Sequence, residues 1–118
     1  MLVLSLLCAL TAPTFAQLSL GTVDAGPYTP GSSIAATFTI DPAACYRQGN
    51  VFTMQLSDAT GNFATPTTIG TYNSFYATFV NGTIPANTPV GNGYKIRIIS
   101  SAPVTTSAES GTFSIVAG

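Results

Sequence analysis

Histidine and tryptophan are both absent from this chain of 118 residues. Without histidine it lacks the commonest general base and the commonest metal ligand. Without tryptophan it lacks the largest aromatic surface for stacking, although 5 Tyr and 7 Phe remain. Charge is scarce: 6% of residues are charged, against about 25% in a typical domain. The 3 basic residues and net charge of −1 leave no surface able to neutralise a phosphate backbone, so nucleic acid is not expected as a partner. There is no internal repeat and no stretch of helical amphipathic spacing. Long apolar runs are missing too, with one exception at the N-terminus. The hydrophobic residues make up 46% but are otherwise dispersed among Thr, Ser, Gly and Asn.

The exception, Met1 to Ala16, reads as a secretory signal peptide. Leu2 to Leu10 forms an apolar core too short to span a bilayer. Pro13 breaks it, and Thr14-Phe15-Ala16 offers a small-x-small cleavage site before Gln17. No Lys or Arg follows Met1, so a retained apolar helix stands as the alternative. Residues 17–118 then form a single domain, with no membrane span in the mature chain. Of the two cysteines, Cys8 falls in the signal segment. Cys45 becomes an odd thiol in an oxidising compartment, either a small buried hydrophobe or one half of an intermolecular disulfide.

From Gln17 onward, short alternating segments are separated by turn residues. Leu18 to Val23 gives a first strand. Ser33 to Ile40 places Ile34, Ala36, Phe38 and Ile40 on one face, and Val51 to Ser57 does the same for Phe52, Met54 and Leu56. Thr67 to Thr71, Phe75 to Ile84, Asn92 to Ser100 and Gly111 to Val116 follow, the last carrying Phe113 and Ile115. About seven short strands at regular spacing predict an all-β sandwich. Within Asn92 to Ser100, Tyr94, Ile96 and Ile98 share one face while Lys95 and Arg97 share the other. The stretch before it, Ile84 to Gly93, is rich in Pro, Asn and Gly. A tyrosine placed where such a loop enters a strand suggests a tyrosine corner, and with it an immunoglobulin/fibronectin-III-like β-sandwich of antiparallel strands.

Two stretches carry a resemblance. Asn50-Val-Phe-Thr-Met-Gln-Leu-Ser-Asp-Ala-Thr-Gly-Asn-Phe63 and Gly91-Asn-Gly-Tyr-Lys-Ile-Arg-Ile-Ile-Ser-Ser101 resemble the immunoglobulin-like module found in secreted and cell-surface proteins of Bacteroidetes-type bacteria. Pro66 to Gly70 and Gly82 to Pro85 fall where that module turns. The likeness covers Leu18 to Val116. It implies a spacer, stalk or adhesive unit, outside the cell or on its surface, often in tandem.

No catalytic constellation accompanies this pattern. Asp24, Asp41, Asp58 and Glu109 are isolated in sequence within turns and loops, so no carboxylate pair is indicated. Ser and Thr have no histidine to activate them, and Lys95 beside Arg97 reads as a solvated strand face. No enzyme activity and no cofactor or metal are expected, calcium at Asp24 or Asp58 being the weak alternative. Binding remains. Tyr28, Tyr46, Tyr72, Tyr76 and Phe79 are aromatics that either pack inside or contact a ligand. Tyr46 and Arg47, in a loop, together with Tyr72 and Tyr76, are the candidate contacts for a protein or a surface glycan. Tyr94, Phe38, Phe52, Leu56, Ile96, Ile98 and Phe113 are the expected structural positions. Terminal segments without guarding charge also predict self-assembly by strand pairing as an alternative to the adhesive role.

Overall fold

A computed structural model describes residues 18–41, 46–74 and 79–118. Residues 1–16, Cys45 and Tyr76, on which three of these expectations fall, lie outside them. Among the described residues there is no helix, and all regular structure is strand. The strands are β1 (Leu18–Val23), β2 (Ser33–Ile40), β3 (Val51–Leu56), β4 (Thr67–Asn73), β5 (Phe79–Thr83), β6 (Gly91–Tyr94), β7 (Ile96–Ser101), β8 (Val104–Thr106) and β9 (Phe113–Ile115).

They form three antiparallel sheets in the orders β1-β2-β5, β4-β3-β7-β8 and β6-β9. Alternation decides which side of each strand is buried. Along β2 the burial runs strictly in and out, hiding Ile34, Ala36 and Phe38. β3 hides Phe52, Met54 and Leu56, and β7 hides Ile96, Ile98 and Ser100. These rows, with Tyr94 and Phe113, belong to one hydrophobic cluster. The first two sheets therefore face each other. Phe38 of one meets Phe52 of the other with ring centroids 4.4 Å apart, inside the range where aromatic pairs attract beyond their burial. Phe52 is fully buried, and its truncation to Ala would cost about 3–5 kcal/mol.

The strand count departs from the expected seven. Asn92 to Ser100 is not one strand: β6 ends at Tyr94, and β7 begins at Ile96. The partner strand breaks at the same level, into β8 and β9. Serine hydroxyls bridge the break. Ser57 Oγ accepts from Lys95 N–H at 2.8 Å, Ser110 Oγ from Ile96 N–H at 2.9 Å and Ser107 Oγ from Ile98 N–H at 2.9 Å. Each hydroxyl then donates to the carbonyl of the residue that follows it, Asp58, Gly111 and Ala108 respectively. The ladder thus changes partner without leaving those amides unsatisfied.

The seam where β4 meets β5 depends on glycine. A Cβ on Gly70 would collide with the Asn81 carbonyl oxygen, so only a residue without a side chain lets the two backbones approach there.

Two ends can be defined. At one, Leu18 begins β1 opposite Ile40, and Tyr46 to Asn50, Asn73-Ser74 and Ser100 to Val104 gather. Asn50 ties this end together. It is buried; its Nδ2 donates to Ser74 O at 2.7 Å. Its Oδ1 accepts from Ser101 N at 3.0 Å and Ala102 N at 2.8 Å. At the other end, Val116 N donates to Tyr28 O at 2.8 Å and Gly31 N to Ile84 O at 2.7 Å. Two tyrosines brace that end. Tyr94 Oη donates to Pro89 O, five residues upstream, at 2.6 Å, and Tyr28 Oη to Asp24 O at 2.6 Å. Burial pushes both phenols above their ordinary value of 10.0, with Asp58 and Asp24 respectively adding to the effect.

Candidate functional site

Asp24, Asp58, Lys95, Arg97 and Glu109 are engaged in local structure. Glu109 accepts from Lys95 Nζ at 3.1 Å. The Arg97 guanidinium lies 4.4 Å from the Phe63 ring centroid, and its Nε donates to Gln55 Oε1 at 2.8 Å. Asp58 Oδ1 accepts from Thr60 Oγ1, Thr60 N and Asn62 N. Those bonds, the Thr60 hydroxyl's first, hold its carboxyl below the ordinary 3.8. Asp24 Oδ1 accepts from Gly26 N at 3.1 Å. Among the described residues no group of three His, Cys, Asp or Glu side chains could hold a metal ion. Among the described residues no helix is long and apolar enough to cross a membrane.

Two of the candidate contacts, Tyr46 and Tyr72, flank Phe52. Tyr46 is half-buried, its ring 5.6 Å from that of Phe52 and inclined by 36°. Burial raises its phenol pKa, partly offset by a hydrogen bond with Ser100. Its ring packs against the core. Arg47 is exposed, and its backbone N–H donates to Ala102 O at 3.0 Å. Tyr72 lies across from Phe52 on β4 and is half-buried. Tyr28 is buried.

Between β4 and β5 lies a cleft of about 310 Å³, lined among the described residues by Thr71, Tyr72, Phe79, Val80 and Asn81. Alternation along β5 sinks Val80 into the core and turns Phe79 and Asn81 outward. Phe79 is 49% exposed. No Asp, Glu, Lys or Arg is among the described lining residues. A second crevice, about 290 Å³, runs between the free edge of β1 at Leu20, Gly21 and Val23 and the segment from Ala108 to Gly111.

Of the candidate contacts among the described residues, only Tyr72 lines the first cleft. Phe79 carried a sequence signal as one of the candidate aromatics, but Thr71 carried none. Their roles come from the pairing of β4 and β5 with different sheets, which no local pattern reveals. No protein-family model matches the chain, and no curated protein matches it.

Proposed function

We propose that this chain is a secreted, non-catalytic module of immunoglobulin-like build, with a structural or adhesive role at a bacterial surface. The observation that carries this reading is the placement of the two ends. β1 starts beside the Asn50 end, and β9 leaves beside Tyr28 at the opposite end. A chain that enters one end of a sandwich and leaves the other transmits tension along its long direction, as a spacer must. The Tyr94 to Pro89 bond supports the finer assignment, since a phenol reaching back to upstream backbone is the tyrosine-corner arrangement. So does the break at Lys95. If β6 with β7, and β8 with β9, are halves of two interrupted strands, the count returns to about seven. The signal-like residues 1–16 support secretion. The isolated, locally bonded carboxylates support a role without catalysis.

The test is mechanical. The full chain, held by handles at its two ends and stretched singly, should resist and then unfold in one discrete step. Gradual extension without a step would overturn the structural role.

The crevice along β1 favours a second reading, assembly through the β1 edge. β1 carries no charged residue, and its outer edge has no strand partner among the described residues. A bulge between Leu20 and Val23 interrupts its pairing with β2 and limits how long a partner strand can pair. Sedimentation at rising concentration separates the readings: a monomer throughout removes assembly.

A further inference from the structure

We propose that the cleft between β4 and β5 binds a neutral saccharide, with Phe79 as the stacking platform. This rests on the adhesive half of the function proposed above and names what the module would hold.

Four observations converge on that ligand class. First, the described lining residues carry no formal charge. An anionic polymer would find no cation there, whereas a neutral sugar brings no charge to desolvate. Second, Phe79 is about half exposed on a strand, where its cross-strand neighbour is the uncharged Thr37. A flat apolar ring beside small polar groups suits a sugar, which has C–H faces and hydroxyl rims. Third, Asn81 follows Phe79 by two positions and so projects from the same side of β5. Its amide both donates and accepts, and Thr71 adds a hydroxyl from across the seam. No hydrogen bond among the described residues engages either side chain, so both are available to sugar hydroxyls. Fourth, the volume is about 310 Å³, at the small end of the roughly 300–1,000 Å³ typical of ligand pockets.

The same geometry argues against an extended peptide. A strand inserted between the two edges would need the seam open along its length. The Gly70 backbone closes it against the Asn81 carbonyl. What remains is a short recess opening onto an uncharged sheet face, where Ala35 opposes Asn81 and Ser33 opposes Thr83. A saccharide chain could seat one unit in the recess and lay its next units across that face.

The experiment titrates the isotope-labelled full chain with cellohexaose, maltohexaose, xylohexaose and laminarihexaose, and with an acidic oligogalacturonate as the charged counterpart. The proposal expects saturable amide shifts at Thr71, Tyr72, Phe79 and Asn81 with at least one neutral sugar. Phe79→Ala should weaken that binding by about tenfold or more, Phe79→Tyr should keep it, and Asn81→Ala should weaken it without altering the spectrum elsewhere. Because Phe79 and Asn81 point outward, dispersed spectra of both alanine variants report an intact fold. Silence with all four neutral sugars, preference for the acidic one, or binding unchanged by both alanine variants would overturn the proposal. A chain that ignores every sugar yet still unfolds in one step under tension would lose this inference and keep its structural role.

Discussion

At the scale of single residues, Asn50 carries more than its sequence context suggests. In Gln48-Gly49-Asn50 it reads as a turn residue, and it does end a turn, with its N–H on Arg47 O at 3.1 Å. Yet its side chain is buried and serves three backbone groups on two other segments. Asn50→Ala would strand those groups in a dry environment, and the expected loss is roughly 2–4 kcal/mol in a denaturant titration. Tyr94→Phe tests the opposite case. The ring stays in the core and only the bond to Pro89 O is lost, so about 1 kcal/mol should go. The apolar residues were legible in advance: Phe38, Phe52, Leu56, Ile96, Ile98 and Phe113 are all buried, as period-2 alternation requires. Asn50 was not legible, because a polar side chain looks the same in sequence whether it meets water or backbone.

At the scale of elements, existence was easier to read than continuity. From Tyr94 to Ile98 apolar and charged residues alternate without fault, yet the ladder changes partner at Lys95. The cause lies in residues remote in sequence: the hydroxyls of Ser57, Ser107 and Ser110 take the place of strand carbonyls. β8, only Val104 to Thr106, follows a tight turn from Ser101 and exposes Val104 almost fully. It shows none of the apolar alternation that marks a strand. Replacing Ser107 and Ser110 together by Ala should leave the Ile96 and Ile98 amides without partners. Each orphaned amide costs about 1–3 kcal/mol. The double variant should also show faster hydrogen exchange at those two amides than at Phe52 or Met54. Gly70→Ala should separate β4 from β5, destabilise the fold and broaden the resonances of Tyr72 and Phe79.

At the scale of the whole molecule, sparse charge leaves stability nearly independent of pH over a wide plateau. The limits follow from the shifted groups. Tyr28 and Tyr94 have folded pKa values raised above 10.0. The fold therefore favours their protonated forms. That contribution is complete below about pH 10 and is lost as pH rises through the folded values. Asp58 is shifted the other way, below 3.8. Its contribution is present above that value and fades as pH falls through the folded pKa. The thermal midpoint should thus be level near neutrality and drop on the alkaline side. Ultraviolet titration should show Tyr28 and Tyr94 ionising later than a free phenol. All of this presumes two sheets closed on one core, and Phe38 against Phe52 is the contact that joins them. Nuclear Overhauser spectroscopy on the labelled chain measures that contact most directly. Strong ring-to-ring cross-peaks between Phe38 and Phe52 are predicted, alongside strand-type amide patterns throughout residues 33–40 and 51–56. Absence of those cross-peaks in a folded sample would contradict the sandwich and everything built on it.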